Sequence, residues 1–324
     1  MRRFPLHPVL LLLLGVCAWL PACQGADQTQ QKPIPENRVR LGNLPESYAQ
    51  LWKAWLLQDP RYSNLREQIR SDPRLADFLV ENLIGVVLGE LSAGRVQSGP
   101  EGQPTSLKRA QRELVDLGAA STSALSEVLV LGTGLGPVAV EDLLIEIGGA
   151  SVEPLLGQLD RDDSPLARRR ASRTLGEIAF QRIPAGMTTE VVRAALAQHL
   201  QEDKDWIVRS QCALALASWG RSTPEDMAAS SRQIVPALGD EDDSVRKDAI
   251  QALGRLGDPR IIPALVNHLE RCINGGIMGE IVMAQKSLAA LSGMKRTLTP
   301  AQWRSWWRDE RPRILKSFKT ASGR

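Results

Sequence analysis

The chain predicts an all-α fold: an α-solenoid of about six helix pairs with a capping element at each end. Three observations carry that expectation. A helix–turn–helix pattern recurs along residues 107–294, Ala and Leu are abundant while aromatics make up only 4% of the 324 residues, and no sustained run alternates β-branched residues. Paired amphipathic helices repeating every few tens of residues mark a stack in which each unit buries its apolar face on its neighbour. With 43% hydrophobic and 24% charged residues, the chain can build a sizeable core.

In chain order, residues 1–22 read as a signal peptide. Met1-Arg2-Arg3 is basic, Val9 to Leu14 is unbroken apolar sequence, and the run ends at Leu20, a length suited to export rather than to spanning a bilayer. Leu20-Pro21-Ala22-Cys23 resembles the bacterial lipobox, L-x-[AGS]-C. That resemblance implies that Cys23 is lipidated and becomes the mature N-terminus. The protein would then be a membrane-anchored lipoprotein of the cell envelope, facing the periplasm or the exterior. Ordinary secretion and an uncleaved anchor are the other readings. Residues 23–43 have few apolar residues and no period, so they cannot offset their ordering entropy and read as a flexible tether.

Residues 44–93 carry helices without the repeat pattern and are expected to cap the array. Leu51, Trp52, Trp55 and Leu56 make one apolar face. A second helix, Pro73–Leu91, contains Gly85 and Gly89, which are expected to break it. Residues 94–106 are Gly/Pro-rich and read as a linker.

The array, 107–294, aligns on a small apolar residue of each first helix: Ala110, Val140, Ala171, Cys212, Ala249 and Ala284, 30 to 41 residues apart. Four residues on come Leu114, Leu144, Leu175, Leu216, Leu253 and Leu288, on the same helix face. Eight residues past the anchors stand Gly118, Gly148, Ala179, Gly220, Gly257 and Ser292, where the first helices are expected to stop. The clearest copy has Asp243, Val245, Arg246, Ala249, Leu253, Gly254, Leu256, Gly257, Asp258 and Pro259. It resembles the HEAT repeat, in particular the HEAT-like variety of phycobilisome lyases. Asp163, Arg168, Ala171, Leu175 and Gly176 keep the pattern in one further copy, and Asp205, Val208, Arg209, Leu216 and Gly220 in another. The resemblance implies that Asp243/Arg246 and Asp205/Arg209 are structural pairs between neighbouring repeats. It also implies that the second helices line the concave face. Gln198, His199, Asn267, His268 and Arg271 on those helices are therefore expected to contact a partner protein.

Residues 295–324 follow as a basic, Trp-containing cap helix and tail. Thr299 can cap a helix that starts at Pro300. Trp303, Trp306 and Trp307 share a face and are expected to close the last repeat rather than to form an exposed docking surface.

Signals of chemistry are sparse. Of three histidines, His7 leaves with the signal. His199 and His268 sit in matching L-x-x-H-L contexts that express repeat ancestry. Neither has a Cys or His neighbour read at ligand spacing, so no metal is expected. Residues 128–137, VLVLGTGLGP, lack the G-x-G-x-x-G spacing and a Walker lysine, and read as an inter-repeat loop. Cys212 occupies a core anchor and is expected to be an inert thiol. A Cys212–Cys272 bridge would need close Cα atoms and is not expected.

Net charge is +3, with nine Lys/Arg in residues 295–324 against Asp309 and Glu310. Export and the lack of aromatic interleaving argue against a nucleic-acid partner. The reading is an exported, lipid-anchored scaffold that binds another protein, with no cofactor and no catalysis. An enzyme or a nucleic-acid or anionic-polymer binder on the same fold is the alternative, as is a purely structural envelope component.

Overall fold

Fifteen α-helices account for most of the chain in the computed structural model, which describes residues 45–94, 105–132, 134–181 and 189–322, all within one unit that spans Pro35–Arg324. The expected signal peptide, Cys23, the tether and most of the linker lie outside the described residues. Among the described residues there is no strand.

The cap comprises α1 (Glu46–Leu57), the short α2 (Tyr62–Arg66) and α3 (Pro73–Ser92). Asp72 starts α3 by accepting the backbone N–H groups of Arg74 and Leu75, with Pro73 in the first turn. Gly85 and Gly89 do not break this helix. Its buried residues, among them Leu75, Leu79, Leu83 and Val87, form a stripe whose burial outweighs about 1 kcal/mol of lost propensity per glycine. On α1, Leu51, Ala54 and Trp55 are buried, and Trp52 stacks on Trp55 at 5.0 Å. Leu56, expected on that face, is exposed instead. The Arg109 guanidinium sits over the Trp55 ring and donates to its carbonyl at 3.1 Å, tying the cap to the first repeat.

The repeats pair α4 (Ser106–Leu117) with α5 (Ala119–Glu127), α6 (Leu135–Ile147) with α7 (Val152–Leu159), and α8 (Pro165–Gln181) with α9 (Thr189–Glu202). Then come α10 (Trp206–Trp219) with α11 (Pro224–Ile234), and α12 (Asp243–Leu256) with α13 (Ile262–Gly275). The last are α14 (Met278–Ser292) and the closing α15 (Pro300–Ser322). First helices stack on first helices, and α5, α7, α9, α11 and α13 each also pack against the first helix of the next repeat. All six anchors and all six leucines four residues on are fully buried. The stops are less uniform. Gly118, Gly148 and Gly257 take positive φ. By contrast α8 runs past Ala179 to Gln181, Gly220 stays right-handed, and the left-handed residue after α14 is Gly293 rather than Ser292.

Close approach between first helices depends on residues five past the anchor. A Cβ on Gly176 would lie 3.2 Å from the Ala215 backbone, and one on Gly254 would lie 2.5 Å from Ser287 Oγ and 3.2 Å from its Cα. Ser287 in turn donates to the Ile250 carbonyl.

A ladder of arginines three residues before the anchors joins consecutive repeats. Arg168 grips both carboxylate oxygens of Asp203 at 2.7 and 3.0 Å, and Arg209 grips both of Asp240 at 2.9 Å. Arg246 instead directs Nε and Nη2 to Oε1 of Glu280. Each guanidinium also donates to carbonyls of the loop before its own helix: Arg168 to Arg161 and Asp162, Arg209 to Asp203, and Arg246 to Asp240 and Glu241. The partners differ from those the repeat pattern named. Asp205 is the N-cap of α10 and binds Arg169, while Asp243 binds Lys247. An aspartate in a helix's first turn is occupied by amides and by its own surface, so the arginine reaches the acid of the following repeat.

At the far end, Thr299 and Gln302 form a reciprocal capping box that starts α15. Trp303 is fully buried, donates to Gln285 at 3.1 Å, and meets Trp306 edge-on, with Trp306 and Trp307 partly buried against the core. These tryptophans close the array. No helix among the described residues is long and apolar enough to cross a membrane.

Gly254→Ala should destabilise the protein by about 1–3 kcal/mol despite its better helix propensity, because the new methyl meets backbone. Gly157→Ala, where nothing lies within 4 Å, should stabilise by up to about 1 kcal/mol. Denaturant melts of the two variants check the signs.

Candidate functional site

The second helices α9 and α13 bring the five residues expected at a contact face into two separate settings. Gln198 is exposed and donates to Glu202 at 3.2 Å. Beside it, His199 is wedged between two carboxylates: Nδ1 lies 3.2 Å from Asp203 Oδ2, and Nε2 lies 3.0 Å from Asp160 Oδ1. It therefore joins the ladder at Asp203 as well as facing solvent.

On α13, Asn267 is exposed but accepts from Arg304 of α15, which also binds Glu270. Arg271 is exposed and donates to His268 Nδ1 at 3.3 Å. His268 is not a surface residue. Its ring is buried, with Nε2 2.9 Å from Glu280 Oε2 on α14, so it cannot contact a partner directly. His268 matches His199 in the repeat register, two repeats on, but α14 packs against α13 here and its Glu280 meets the ring.

The sequence also concealed a neighbour. Cys272 lies one helical turn after His268, and its Sγ is 3.2 Å from His268 Nε2 and 3.5 Å from Glu280 Oε2. The expectation that His268 lacks a ligand neighbour is thus corrected: an i, i+4 His–Cys pair is ligand spacing on a helix. Glu280 completes the trio from the next helix, with all three donor atoms within 4.8 Å of one another. Cys212 and Cys272 are both free and buried, with no bridge between them.

Electrostatics separate these groups. Burial pushes Asp203 up, but hydrogen bonds from Arg168, the Asp205 amide and His199 outweigh it and hold the carboxyl below its ordinary value of 3.8. Asp240 is lowered in the same way by Arg209 and the Asp242 amide against its burial. Glu280 is held down by Arg246, then by Cys272 and His268, again against burial. Burial lowers His268, partly offset by Glu280, and so favours the neutral ring. Burial and the adjacent Glu280 push the Cys272 thiol up to about 11. Cys212 is raised by burial alone for the most part, as expected of an inert core thiol.

The glycine-rich segment 128–137 is a loop only in its middle: Val128–Val130 form a 3-10 turn after α5 and Leu135, Gly136 and Pro137 already belong to α6, with Thr133 outside the described residues. Arg170 donates to the carbonyls of Leu129, Leu131 and Gly132. Carbonyls turned toward a guanidinium are the reverse of the amide cradle that a phosphate needs.

A family model described as HEAT repeats matches residues 138–217 and 193–276. No curated protein matches the chain. Among solved structures, an engineered protein is similar at 18% identity and a TM-score of 0.42, covering 78% of this chain and 100% of its own. Kap121p is similar at 12% identity and a TM-score of 0.43, and the match covers 84% of this chain and 30% of Kap121p. Likeness at these levels says nothing about what this chain binds.

Arg168→Ala would leave the buried Asp203 carboxylate with only the Asp205 amide and His199, without its guanidinium, and should cost about 3–5 kcal/mol. Loss of the half-exposed Arg169 pair should cost at most about 1 kcal/mol. Because Asp203 and Asp240 titrate lower folded than unfolded, the unfolded chain binds more protons as the pH drops. Their stabilisation is full above the ordinary carboxylate value of 3.8 and is lost as the pH falls through the lower folded values. Glu141, raised mainly by burial, works in the opposite sense around its ordinary 4.5. His268, lowered by burial, takes up its proton less readily folded than unfolded, so stability begins to decline below its ordinary 6.5. The thermal midpoint followed by circular dichroism should therefore decline as the pH falls below 6.5 and fall again below 3.8 as Asp203 and Asp240 titrate.

Proposed function

The chain is a HEAT-repeat protein across residues 138–276, and on that premise we propose that it is an exported, lipid-anchored scaffold that binds another protein along its solenoid surface. The observation that carries the binding reading is the distribution of exposed apolar side chains. Ile273, Ile277, Met278 and Val282, 39% to 67% exposed, cluster within residues 273–282 where α13 turns into α14. Apolar groups left in water beside polar neighbours favour a protein contact. Arg271 lies exposed at the same end of α13 and supplies a polar contact beside them, and Gln198 offers an exposed polar contact two repeats earlier on α9.

Export and anchoring rest on the N-terminal sequence. A basic start, an apolar run and the lipobox-like Leu20-Pro21-Ala22-Cys23 support lipidation at Cys23 and a place in a bacterial cell envelope. Acyl chains contribute about 0.8 kcal/mol per buried CH₂, enough for several to hold the protein at a membrane. Binding without catalysis fits an extended, open surface that does not exclude water from a reacting pair. Nucleic acid is not the proposed partner, because part of the C-terminal basic charge is already paired, as in Arg304–Glu270 and Arg313–Glu310.

Mass spectrometry of the mature N-terminus should find an acylated Cys23, and Cys23→Ser protein should leave the membrane fraction. An unmodified terminus would remove the anchor from this reading. Crosslinked partner capture should fall about tenfold in Met278→Asp protein, the effect of losing a contact of about 1.4 kcal/mol. Capture unchanged by Met278→Asp and by Arg271→Ala would remove the α13–α14 surface from it.

A further inference from the structure

The arginine ladder changes form at its last rung, and the change exposes a set of donor atoms. Arg168 and Arg209 each take both oxygens of their aspartate, whereas Arg246 takes Oε1 of Glu280 alone. The released oxygen, Oε2, points at His268 Nε2 and Cys272 Sγ, and all three residues are buried. We propose that His268, Cys272 and Glu280 form a binding site for one divalent zinc ion.

The geometry suits that ion. With bonds of about 2.0–2.1 Å to nitrogen and oxygen and about 2.3 Å to sulfur, a tetrahedral site has ligand-to-ligand edges of about 3.3–3.6 Å. The edges here are 2.9, 3.2 and 3.5 Å. They need to open by no more than about half an ångström, within the side-chain freedom of a Glu and a Cys. An imidazole and a thiol select a borderline-soft cation over magnesium or calcium. Two ligands one helical turn apart on α13 and one on the packed α14 make the cation a clamp across the last repeat boundary. Water fills the fourth position of such a three-residue site.

The matched context on α9 shows what the trio adds. His199 also has its partner four residues on, but that partner is Asp203, already held by two N–H groups of Arg168, and α9 carries no cysteine. At α13 the position four residues after the histidine is the thiol of Cys272 instead, and the acid is half-free.

Binding exchanges protons for metal bonds. The Cys272 S–H bond breaks, an S–metal bond forms, and the proton leaves to solvent. In the free protein the ring proton sits on Nε2, facing Glu280, while Nδ1 accepts from Arg271; on binding that proton leaves to solvent, Nδ1 takes a proton from water, and Nε2 bonds the cation. Arg271, which donates to Nδ1 and is exposed, swings into solvent. Glu280 keeps Arg246 on Oε1 while Oε2 turns to the cation. Thiolate and carboxylate together neutralise the dication, beside Arg246, Arg271 and Lys247, the cations that face the cluster.

The full-length protein, stripped with a chelator, should be titrated with Co²⁺ as a spectroscopic probe and then with Zn²⁺. One equivalent of Co²⁺ should give a thiolate-to-cobalt charge-transfer band with tetrahedral ligand-field absorption. Zn²⁺ should displace it and raise the thermal midpoint, and Mg²⁺ should do neither. Cys272→Ser should abolish the charge-transfer band with its helical circular dichroism retained, and Arg271→Ala should bind at least as tightly as the wild type. If Cys272→Ser does not fold, X-ray absorption of the wild-type zinc complex decides: a shell with one sulfur supports the site, and oxygen and nitrogen alone overturn it. No band in folded wild-type protein, or a band that survives in Cys272→Ser, also overturns it. None of these readouts depends on lipidation or partner capture.

Discussion

The ladder of buried and half-buried arginines holds the repeats in register, and the rest of the structure depends on it. Hydrophobic stacking alone is non-directional and would let one helix pair slide on the next. A guanidinium that grips two carboxylate oxygens of the following repeat and a carbonyl of the preceding loop has one workable geometry. Arg168, Arg209 and Arg246 therefore set the spacing at three successive boundaries. Removing one partner of such a pair leaves an uncompensated charge, so the pairs are costly to break.

Once spacing is set, the small residues become obligatory. Gly176 against Ala215 and Gly254 against Ser287 allow first helices to approach to backbone distance, and the fully buried leucine in each repeat fills the space beneath. The open ends need different solutions. At one end α3 lays an apolar stripe over the first repeat, with Arg109 stacked on Trp55. At the other, Trp303 enters the core under α15 and satisfies its N–H on Gln285. Each end thus exchanges the repeat pattern for large aromatic area, because no neighbouring repeat is there to cover it.

Function follows from what this packing leaves over. Stacking consumes most of the first helices, so chemistry and contact fall to the second helices, the turns after them and the first turns of α14, which no further repeat pattern follows. Around α13 and α14 the leftovers are of two kinds: exposed apolar side chains at 273–282, and a buried His–Cys–Glu trio where the ladder ends. The two lie on the same pair of helices, so an ion that clamps α13 to α14 would also stiffen the surface proposed to meet a partner.

Much of this was legible in the residues themselves. Period, anchor and leucine spacing determined the all-α repeat architecture, because helical periodicity and burial are local properties of a sequence. Tryptophans at i, i+3 and i+4 foretold a closing helix for the same reason. The proposal that Cys23 is lipidated rests on local sequence alone. Tertiary structure alone decided which acid each arginine takes: Arg246 reaches Glu280, and Arg209 reaches Asp240, more than thirty residues away. It also decided that His268 is covered while Gln198 is not, and that Glu280 meets Cys272. Those outcomes depend on how α14 lies against α13, and a one-dimensional period carries no information about which face of one helix the next will cover.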